Sequence, residues 1–378
     1  FITQFYSKTN NEYRLVKSIV NEYVYDGYFP FPAGLMAPLA PSATSEEVYV
    51  NTRTKHIQSQ IIFANQDATL GDADEYNEFK TYYFSAGTAK LGSTKTTEYF
   101  NDAQFVVEKN YLYNFDKHYQ VSEDITKLHT GQTTRTKTFY PDEVNTVNSL
   151  GYKSLSSQEF SAIQSLKKPT SSSPNNLHKV ATPIQIETTV KNAEGEILSN
   201  EVQRTNYRSW GDLVLPEFVQ TLKGEYNATT NPLENRIQYH DYYTNGNPKE
   251  VSKSDGIHIV YIWGYQQEYP IAKIENASYS QVESYVANLQ TKSNADNDRT
   301  LRYDGNEGKL REDLDALREA LPNAMVSTYT YDPLIGVTSM TDPKGYTMYY
   351  HYDDFNRLEF IKDADGNLVS ENKYNYKN

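Results

Sequence analysis

A tandem repeat with a step of twenty-one residues constrains the fold more than any other feature of the sequence. The first copy, YDPLIGVTSMTDPKG, begins at Tyr331, and the second, YDDFNRLEFIKDADG, begins at Tyr352. The shared positions are Tyr331 with Tyr352, Asp332 with Asp353, Asp342 with Asp363, and Gly345 with Gly366. A unit this short cannot bury its apolar residues alone, so copies of it stack side by side. The repeat therefore predicts a surface of repeated β-hairpins and argues against an enzyme with one catalytic cleft.

The Asp-x-x-Gly ending of each copy is typical of a tight turn. An aspartate side chain accepts hydrogen bonds from backbone N–H groups further along the turn, and glycine adopts the positive φ that such turns require. Leu358 and Phe360 alternate with polar residues, as on a half-buried strand. We therefore predict that the shared Tyr, Asp and Gly positions are structural turn residues, and we predict no catalytic residue.

The tyrosine content favours a mainly β fold. The chain has 34 tyrosines and two tryptophans, and its mean hydropathy is −0.74. Tyrosine favours strands, and its amphipathic ring suits a half-buried sheet that is partly exposed to solvent. Short strand-like runs separated by Asn and Asp turns add to this pattern. The sequence predicts arrays of antiparallel β-hairpins with a short helical insertion.

Weaker copies of the repeat extend the pattern upstream. NYRSWGDLVL places Tyr207 before Gly211, and YYTNGNPKEVSKSDG places Tyr243 before Gly246 and the turn Asp255-Gly256. We interpret both as degenerate copies, with ordinary hairpin turns as the alternative.

Three helices are expected among the strands. Ser156 and Glu159 have the spacing of a capping box at the start of a short helix. Ser280 is expected to cap a second helix, and a third has an apolar stripe of Leu310, Leu314, Leu317 and Leu321. The connection between the second and third helices is expected at Thr291–Gly308. Because exposed sheet edges promote aggregation, we expect these two helices to cover an open face or edge of the sheet.

The sequence divides into five predicted segments. The run KKPTSSSPNN at 167–176 is the most linker-like stretch. The segments are an N-terminal β segment at 1–78, a hairpin array with the short helix and linker at 79–176, a second array at 177–275, the two-helix insertion at 276–325, and the C-terminal repeats at 326–378.

Charge and hydropathy indicate which partners this chain is expected to bind. The net charge is −13 and no Lys/Arg cluster interrupts it, so nucleic acid is not an expected partner. No stretch approaches the length of a transmembrane helix, so no transmembrane segment is expected. Cysteine is absent, which leaves the redox compartment open. The chain begins at Phe1, and we expect it to be processed or to be part of a longer polypeptide.

No motif for a metal or cofactor is found. The run that starts at Asp363 begins like a calcium loop, but its twelfth position is Tyr374 instead of glutamate, so we favour a turn. The seven histidines have no metal-ligand spacing: His56, His118, His129, His178, His240, His258 and His351. We therefore expect neither cofactor nor metal, and no enzymatic activity.

The YDxxGRL…DxxG pattern at Tyr352–Leu358 and Asp363–Gly366 resembles the RHS/YD-repeat family of bacterial surface and toxin-associated proteins. The segments VYIWGYQQEYPIAKIENASYS and ALPNAMVSTYTYDPLIGVTSMTDPKG are also similar to long RHS-type surface proteins of Bacteroidota. Asn356 stands where the family usually has glycine, which asparagine replaces at modest cost. Ile335-Gly336 replaces Gly-Arg in the first copy, so that turn should differ.

The resemblance implies a wound sheet or partial shell and a secreted or cell-surface scaffold that belongs to a longer polypeptide. Such proteins are commonly exported by the type IX secretion system, which implies translocon components and further repeats as partners, at the outer membrane or outside the cell. Asp342-Pro343-Lys344-Gly345 resembles an element near the self-cleavage site of toxin-carrying RHS shells, although a turn explains it better. Tyrosine-rich faces suggest a carbohydrate-binding or adhesin role as another alternative, against cross-strand tyrosine pairs that need no ligand.

Overall fold

The computed structural model describes residues 2–9, 12–25, 29–30, 49–50, 57–62, 79–84, 89–100 and 103–375. The first ten strands are β1 Ile2–Thr9, β2 Glu12–Tyr25, β3 Phe29–Pro30, β4 Tyr49–Val50, β5 Ile57–Ile62, β6 Phe79–Phe84, β7 Ala89–Phe100, β8 Ala103–Tyr113, β9 Val121–Leu128 and β10 Thr133–Phe139. They are followed by a 3₁₀ turn, Pro141–Glu143, and by helix α1, Ser157–Ser165. Most of the proline-rich stretch after Phe29 lies outside the described residues.

The remaining elements contain most of the repeats. The strands before the helical insertion are β11 Gln185–Lys191, β12 Ile197–Trp210, β13 Leu213–Lys223, β14 Glu234–Tyr242, β15 Pro248–Lys253, β16 His258–Gly264 and β17 Tyr269–Glu275. The insertion consists of α2 Tyr279–Ala295 and α3 Gly305–Ala320. The last strands are β18 Met325–Asp332, β19 Gly336–Thr341, β20 Thr347–Tyr352, β21 Leu358–Asp363 and β22 Leu368–Glu371. The predicted mainly β class, with antiparallel hairpins and a helical insertion, is confirmed.

The chain separates into two compact units. The first contains Phe1–Thr138 and Thr188–Ser199. In it β1, β2, β7, β8, β9 and β10 pair in that order, each antiparallel to the next. The buried side chains among its described residues are polar, namely Ser18, Thr97 and His118. No apolar side chain is fully buried in the described part of this unit, which fits the half-buried sheet that the tyrosine-rich composition predicts.

The second unit contains Phe139–Glu187 and Asn200–Asn378. Its strands β12 to β22 pair in chain order as one antiparallel meander. Strands β17 and β18 pair directly although α2 and α3 lie between them in sequence. The helices are therefore an insertion into one hairpin and do not break the ladder.

The main apolar core lies between the helical insertion and the face of β16, β17 and β18. Helix α2 contributes Val282, Val286 and Leu289, helix α3 contributes Leu310, Leu314 and Leu317, and the strands contribute Ile262, Ile274 and Val326. The prediction that these helices cover a sheet face is thus confirmed. Burying each large aliphatic side chain contributes about 1.5–3 kcal/mol, so this cluster stabilises strands that would otherwise be exposed to solvent.

Two details of the insertion differ from the prediction. Helix α2 begins after Ser278, two residues before the expected cap Ser280, because Ser278 N donates to Gln281 Oε1 at 2.8 Å in a capping box. Helix α2 continues to Ala295, so the connection between the helices is confined to 296–304. The residues after Thr291 form the last helical turn, in which Ser293 is buried and its hydroxyl accepts from Tyr265 N at 3.1 Å.

Helix α1 begins as predicted. Ser156 Oγ accepts from Glu159 N at 3.2 Å, and Ser156 N donates to Glu159 Oε2 at 2.7 Å. The linker-like run at 167–176 folds back on this helix, with Leu177 N donating to Ser165 O at 2.7 Å. That run lies within the second unit. The division into five segments stays a prediction.

Candidate functional site

The eight repeat residues separate into two groups at opposite ends of their strands. Because β18 to β21 form a meander, the turns after β18 and β20 lie at one end, and those after β19 and β21 lie at the other. Tyr331, Asp332, Tyr352 and Asp353 belong to the first end, and Asp342, Gly345, Asp363 and Gly366 belong to the second. The repeat therefore places its residues in two groups, one at each end of strands β18 to β21.

Both Asp-x-x-Gly turns use the aspartate in the same way. Asp342 Oδ1 accepts from Lys344 N and Tyr346 N, both at 2.9 Å, and Gly345 N donates to Asp342 O at 3.0 Å. Asp363 repeats this pattern with Asp365 N, Gly366 N and Asn367 N. Both glycines have φ of +87°. Backbone N–H groups thus occupy one oxygen of each carboxylate, and cleavage near Asp342 stays a prediction.

The two Tyr-Asp turns differ from each other. Asp353 O accepts from Asn356 N at 2.9 Å, and Asn356 has a φ of +59°, the left-handed conformation that glycine usually supplies. Arg357 Nη2 contacts Asp353 Oδ2 at 2.6 Å, and this contact lowers the pKa of Asp353. In the first copy Asp332 O accepts from Ile335 N, and Leu334 takes the positive φ of +71°. The different turn expected there is present.

The repeated tyrosines have a role that the sequence did not reveal. At several β-bulges of the described strands, the carbonyl just before the extra residue accepts a hydrogen bond from a tyrosine hydroxyl of the next hairpin. At the bulge on Thr338, Tyr352 Oη donates to Val337 O at 3.0 Å. At the bulge on Ile271, Tyr331 Oη donates to Pro270 O at 3.0 Å. We call this contact the tyrosine latch.

The tyrosine latch recurs in the second unit, and one example lies in the described part of the first unit. The other examples are Tyr113 to Leu91 O, Tyr242 to Pro216 O, and Tyr374 to Leu358 O, each at 2.9 Å. Trp263 Nε1 donates to Pro248 O in the corresponding place, also at 2.9 Å. Each latch ties one hairpin to the preceding one where the bulge interrupts the regular ladder.

The latch also corrects the alignment of the degenerate copies. The counterpart of Tyr352 is Tyr242, because Tyr242 forms the latch and Tyr243 holds the turn position of Asp353. Tyr207 forms no latch in the described structure. It lies opposite the bulged strand at Pro216, where burial raises its pKa to about 12.

A polar cluster centred on Glu307 was not predicted. Glu307 lies on the first turn of α3 and is 1% exposed. Its Oε1 accepts from Thr330 Oγ1 at 2.7 Å and from Thr338 Oγ1, and it pairs with Arg311 Nη1 at 3.0 Å. Glu307 Oε2 is buried and has no hydrogen-bond partner among the described residues. The only sequence signal was the i,i+4 spacing of Glu307 and Arg311, which usually marks an exposed helix pair.

A cavity of about 350 Å³ lies beside this cluster, and we call it the Glu307 cavity. Its lining residues come from the 296–304 connection, α3 and strands β19 to β21: Arg299, Thr300, Leu301, Glu307, Thr338, Tyr349, Tyr350, His351, Tyr352, Phe360 and Lys362. Arg299 Nε pairs with Asp332 Oδ2 at 2.5 Å. One predicted turn residue, Tyr352, thus lines the cavity, and another, Asp332, pairs with the lining residue Arg299.

A second cavity, of about 420 Å³, lies near Tyr265 and Asp296. Burial raises the pKa of the Asp296 carboxyl to about 6, although a hydrogen bond from Tyr265 Oη at 2.7 Å opposes this shift. Tyr265, Gln266 and Gln267 have consecutive positive φ values of +49°, +62° and +65°. The side chains of Ser293 and Asn294 accept backbone N–H groups of this turn, so the end of α2 stabilises its conformation.

The histidines that the structure describes do not converge on a metal site. No group of three or more His, Cys, Asp or Glu side chains suited to a metal occurs in the part of the chain that the structure describes. His240 and His258 stack at 4.7 Å, and His258 Nδ1 contacts Glu250 Oε1 at 2.5 Å. Burial, together with the nearby His258, lowers the pKa of His240. His56 lies outside the described residues.

None of the helices within the described ranges is both long and apolar enough to cross a membrane.

Comparison with known proteins gives distant structural neighbours. No family model matches the sequence, and no curated protein matches it. A crystal structure of TcdB2-TccC3 aligns with 98% of this chain and 20% of its own, at 11% identity and a TM-score of 0.27. A crystal structure of TcdB2-TccC3 without its hypervariable C-terminal region aligns with 75% of this chain and 14% of its own, at 12% identity and a TM-score of 0.25. The chain thus spans a fifth or less of either neighbour.

Proposed function

We propose that this chain is a non-enzymatic scaffold of the RHS/YD-repeat type, part of a longer secreted or cell-surface polypeptide. The observation that carries the proposal is the tyrosine latch, which joins successive hairpins by the same contact in both units. A ladder joined in this way grows by adding hairpins, because each hairpin contacts only its neighbours. Growth by repetition suits a scaffold or carrier.

Further repeats of the same polypeptide are the first partner that we propose. Leu368 and Val369 on β22 are 56% and 55% exposed, and a following hairpin would cover them. Secretion-translocon components are the second proposed partner, on the basis of the resemblance to type IX substrates. A pull-down of the native protein that contains no secretion subunit would count against the second partner.

Localisation in the source organism tests the scaffold proposal. We expect an antibody against the recombinant chain to detect it in the outer-membrane fraction or the medium, and we expect protease added to intact cells to digest it. Deleting a type IX secretion component should retain the protein inside the cell. A cytoplasmic protein that resists the added protease is the control. A chain found only in the cytoplasmic fraction would refute the proposal.

A further inference from the structure

Two histidines of the second unit stack on each other across strand β15, and the scaffold role does not explain this contact. His240 lies on β14 and His258 on β16, and both strands pair with β15. Their ring centroids are 4.7 Å apart, with an interplanar angle of 20°. We propose that this histidine pair is a pH-sensitive joint of the ladder, at which β14 loosens at acidic pH. The proposal concerns the second unit alone and does not depend on the export route.

The stacked arrangement opposes a positive charge on both rings. Two imidazolium rings at this separation repel each other, whereas a neutral ring stacks without that penalty. Histidine ordinarily gains its proton at about pH 6.5, so modest acidification would charge both rings in an unfolded chain. In the folded chain, burial and the neighbouring His258 lower the pKa of His240, although the Glu250 carboxylate opposes this shift. Folding therefore disfavours the protonated form of His240.

Glu250 on β15 determines which of the two rings is displaced. Glu250 Oε1 contacts His258 Nδ1 at 2.5 Å, and this contact becomes an ion pair when His258 is protonated. Glu250 Oε2 accepts from the backbone N of Tyr279, the first residue of α2, at 2.9 Å, so the helix also holds the carboxylate. His240 has a hydroxyl partner instead, since its Nε2 lies 2.9 Å from Ser252 Oγ. His240 is therefore the ring that leaves the stack.

The other charged side chains on the neighbouring strands already form ion pairs. On β14, β15 and β17 these pairs are Glu234 with Arg236 at 2.6 Å, Asp241 with Lys249 at 2.7 Å, Lys273 with Glu275 at 2.7 Å, and Lys253 with Glu275 at 3.8 Å. The first turn of α2 has no charged side chain. The charges that shift the pKa of His240 are accordingly those of His258 and Glu250.

The joint lies where the ladder is already irregular. Strand β14 has a bulge at His240, between Tyr239 and Asp241 in its pairing with β15. Tyr239 and Tyr242 stack at 5.5 Å, and Tyr242 forms the latch to Pro216 O. A bulged residue interrupts the regular ladder, so a displaced His240 loosens this part of β14 first. Loosening here also weakens the latch that joins β14 to β13.

The pH dependence follows from the direction of the His240 shift. Because the pKa is lower in the folded chain, the contribution to stability is complete above about pH 6.5 and is lost as the pH falls below it. Urea titrations of the whole chain, followed by tryptophan fluorescence, measure the free energy of unfolding at about pH 7.5 and about pH 5.5. We expect acidification to lower it more in the unchanged chain than in His240→Phe, whose ring keeps the stack and cannot be charged. Equal losses in the two proteins would overturn the proposal.

Two further variants separate the joint from general effects of histidine. His258→Phe removes the second charge and should also reduce the loss, which keeps the test valid if His240→Phe fails to fold. His351→Phe is the matched control, because His351 stacks on the uncharged Phe360 ring at 4.3 Å, and this variant should not reduce the loss. The contribution of Asp296, which has the opposite sign, is present in every variant and cancels in the comparison.

Hydrogen exchange then locates the change. On acidification, the protection factors of amides in β14 should fall in the unchanged chain and stay nearly constant in His240→Phe. If protection falls evenly across the second unit, or falls equally in both proteins, the histidine pair is not a joint.

Discussion

Replacing Tyr352 with phenylalanine removes one hydroxyl group from the hairpin that ends the tandem repeat. The ring keeps its volume, so no cavity forms, and the lost interaction is the latch to Val337 O at 3.0 Å. Tyr352 is half buried, and burial raises its pKa, which places the hydroxyl in a partly desolvated position. The carbonyl at the bulge on Thr338 would then lose its tyrosine donor.

The expected loss follows from these contacts. A neutral hydrogen bond contributes about 0.5–1.5 kcal/mol net, and leaving its acceptor buried without a donor increases the cost. We expect Tyr352→Phe to lower the free energy of unfolding by about 1–2 kcal/mol. Tyr331→Phe should have a similar effect, because its hydroxyl donates to Pro270 O at 3.0 Å and burial raises its pKa as well.

Urea denaturation followed by tryptophan fluorescence measures this loss. Both tryptophans, Trp210 and Trp263, lie in the ladder of the second unit and therefore report on its unfolding. Tyr346→Phe is the matched control, because Tyr346 is 68% exposed and does not form a latch in the described structure. Hydrogen exchange should also become faster in β19 and β20. If Tyr352→Phe and Tyr331→Phe unfold at the same urea concentration as the control, the latch does not join the hairpins.

Three further predictions concern the turns, the second cavity and helix α1. Gly336→Ala should destabilise the second unit, because the added methyl group would collide with the Tyr352 hydroxyl. In urea titrations, the double variant with Tyr352→Phe should lose less free energy of unfolding than the two single variants lose together. The pKa of the Asp296 carboxyl is raised to about 6, so folding favours its protonated form. The free energy of unfolding, relative to that of Asp296→Asn, should therefore fall as the pH rises from about 4 to about 6. Parallel urea titrations of both proteins should detect this fall. Ser156→Ala removes the cap of α1 and should cost about 1 kcal/mol in the same assay, whereas Ser156→Asn should restore most of it.

The sequence determined the local structure of the repeat. Asp342 and Gly345, like Asp363 and Gly366, predicted turns because their chemistry acts within a few residues, through Asx hydrogen bonds and positive φ. The same locality explains why the cap at Ser156 was found. Ser280 was expected to cap α2 in place of Ser278 because both serines precede the apolar stripe, and only the backbone path distinguishes them.

The tertiary structure decided which distant residues meet. The tyrosine latch joins Tyr331 to Pro270 across 61 positions and depends on a bulge that the strand pattern does not reveal. Glu307 was not singled out in the sequence, and it is buried because α3 packs on β18 and β19. Turn chemistry is encoded locally, whereas burial, latches and cavities depend on which strands and helices pack together. The twenty-one-residue repeat therefore predicted the hairpins, while the way in which they join, and the cavity beside them, came from the packing.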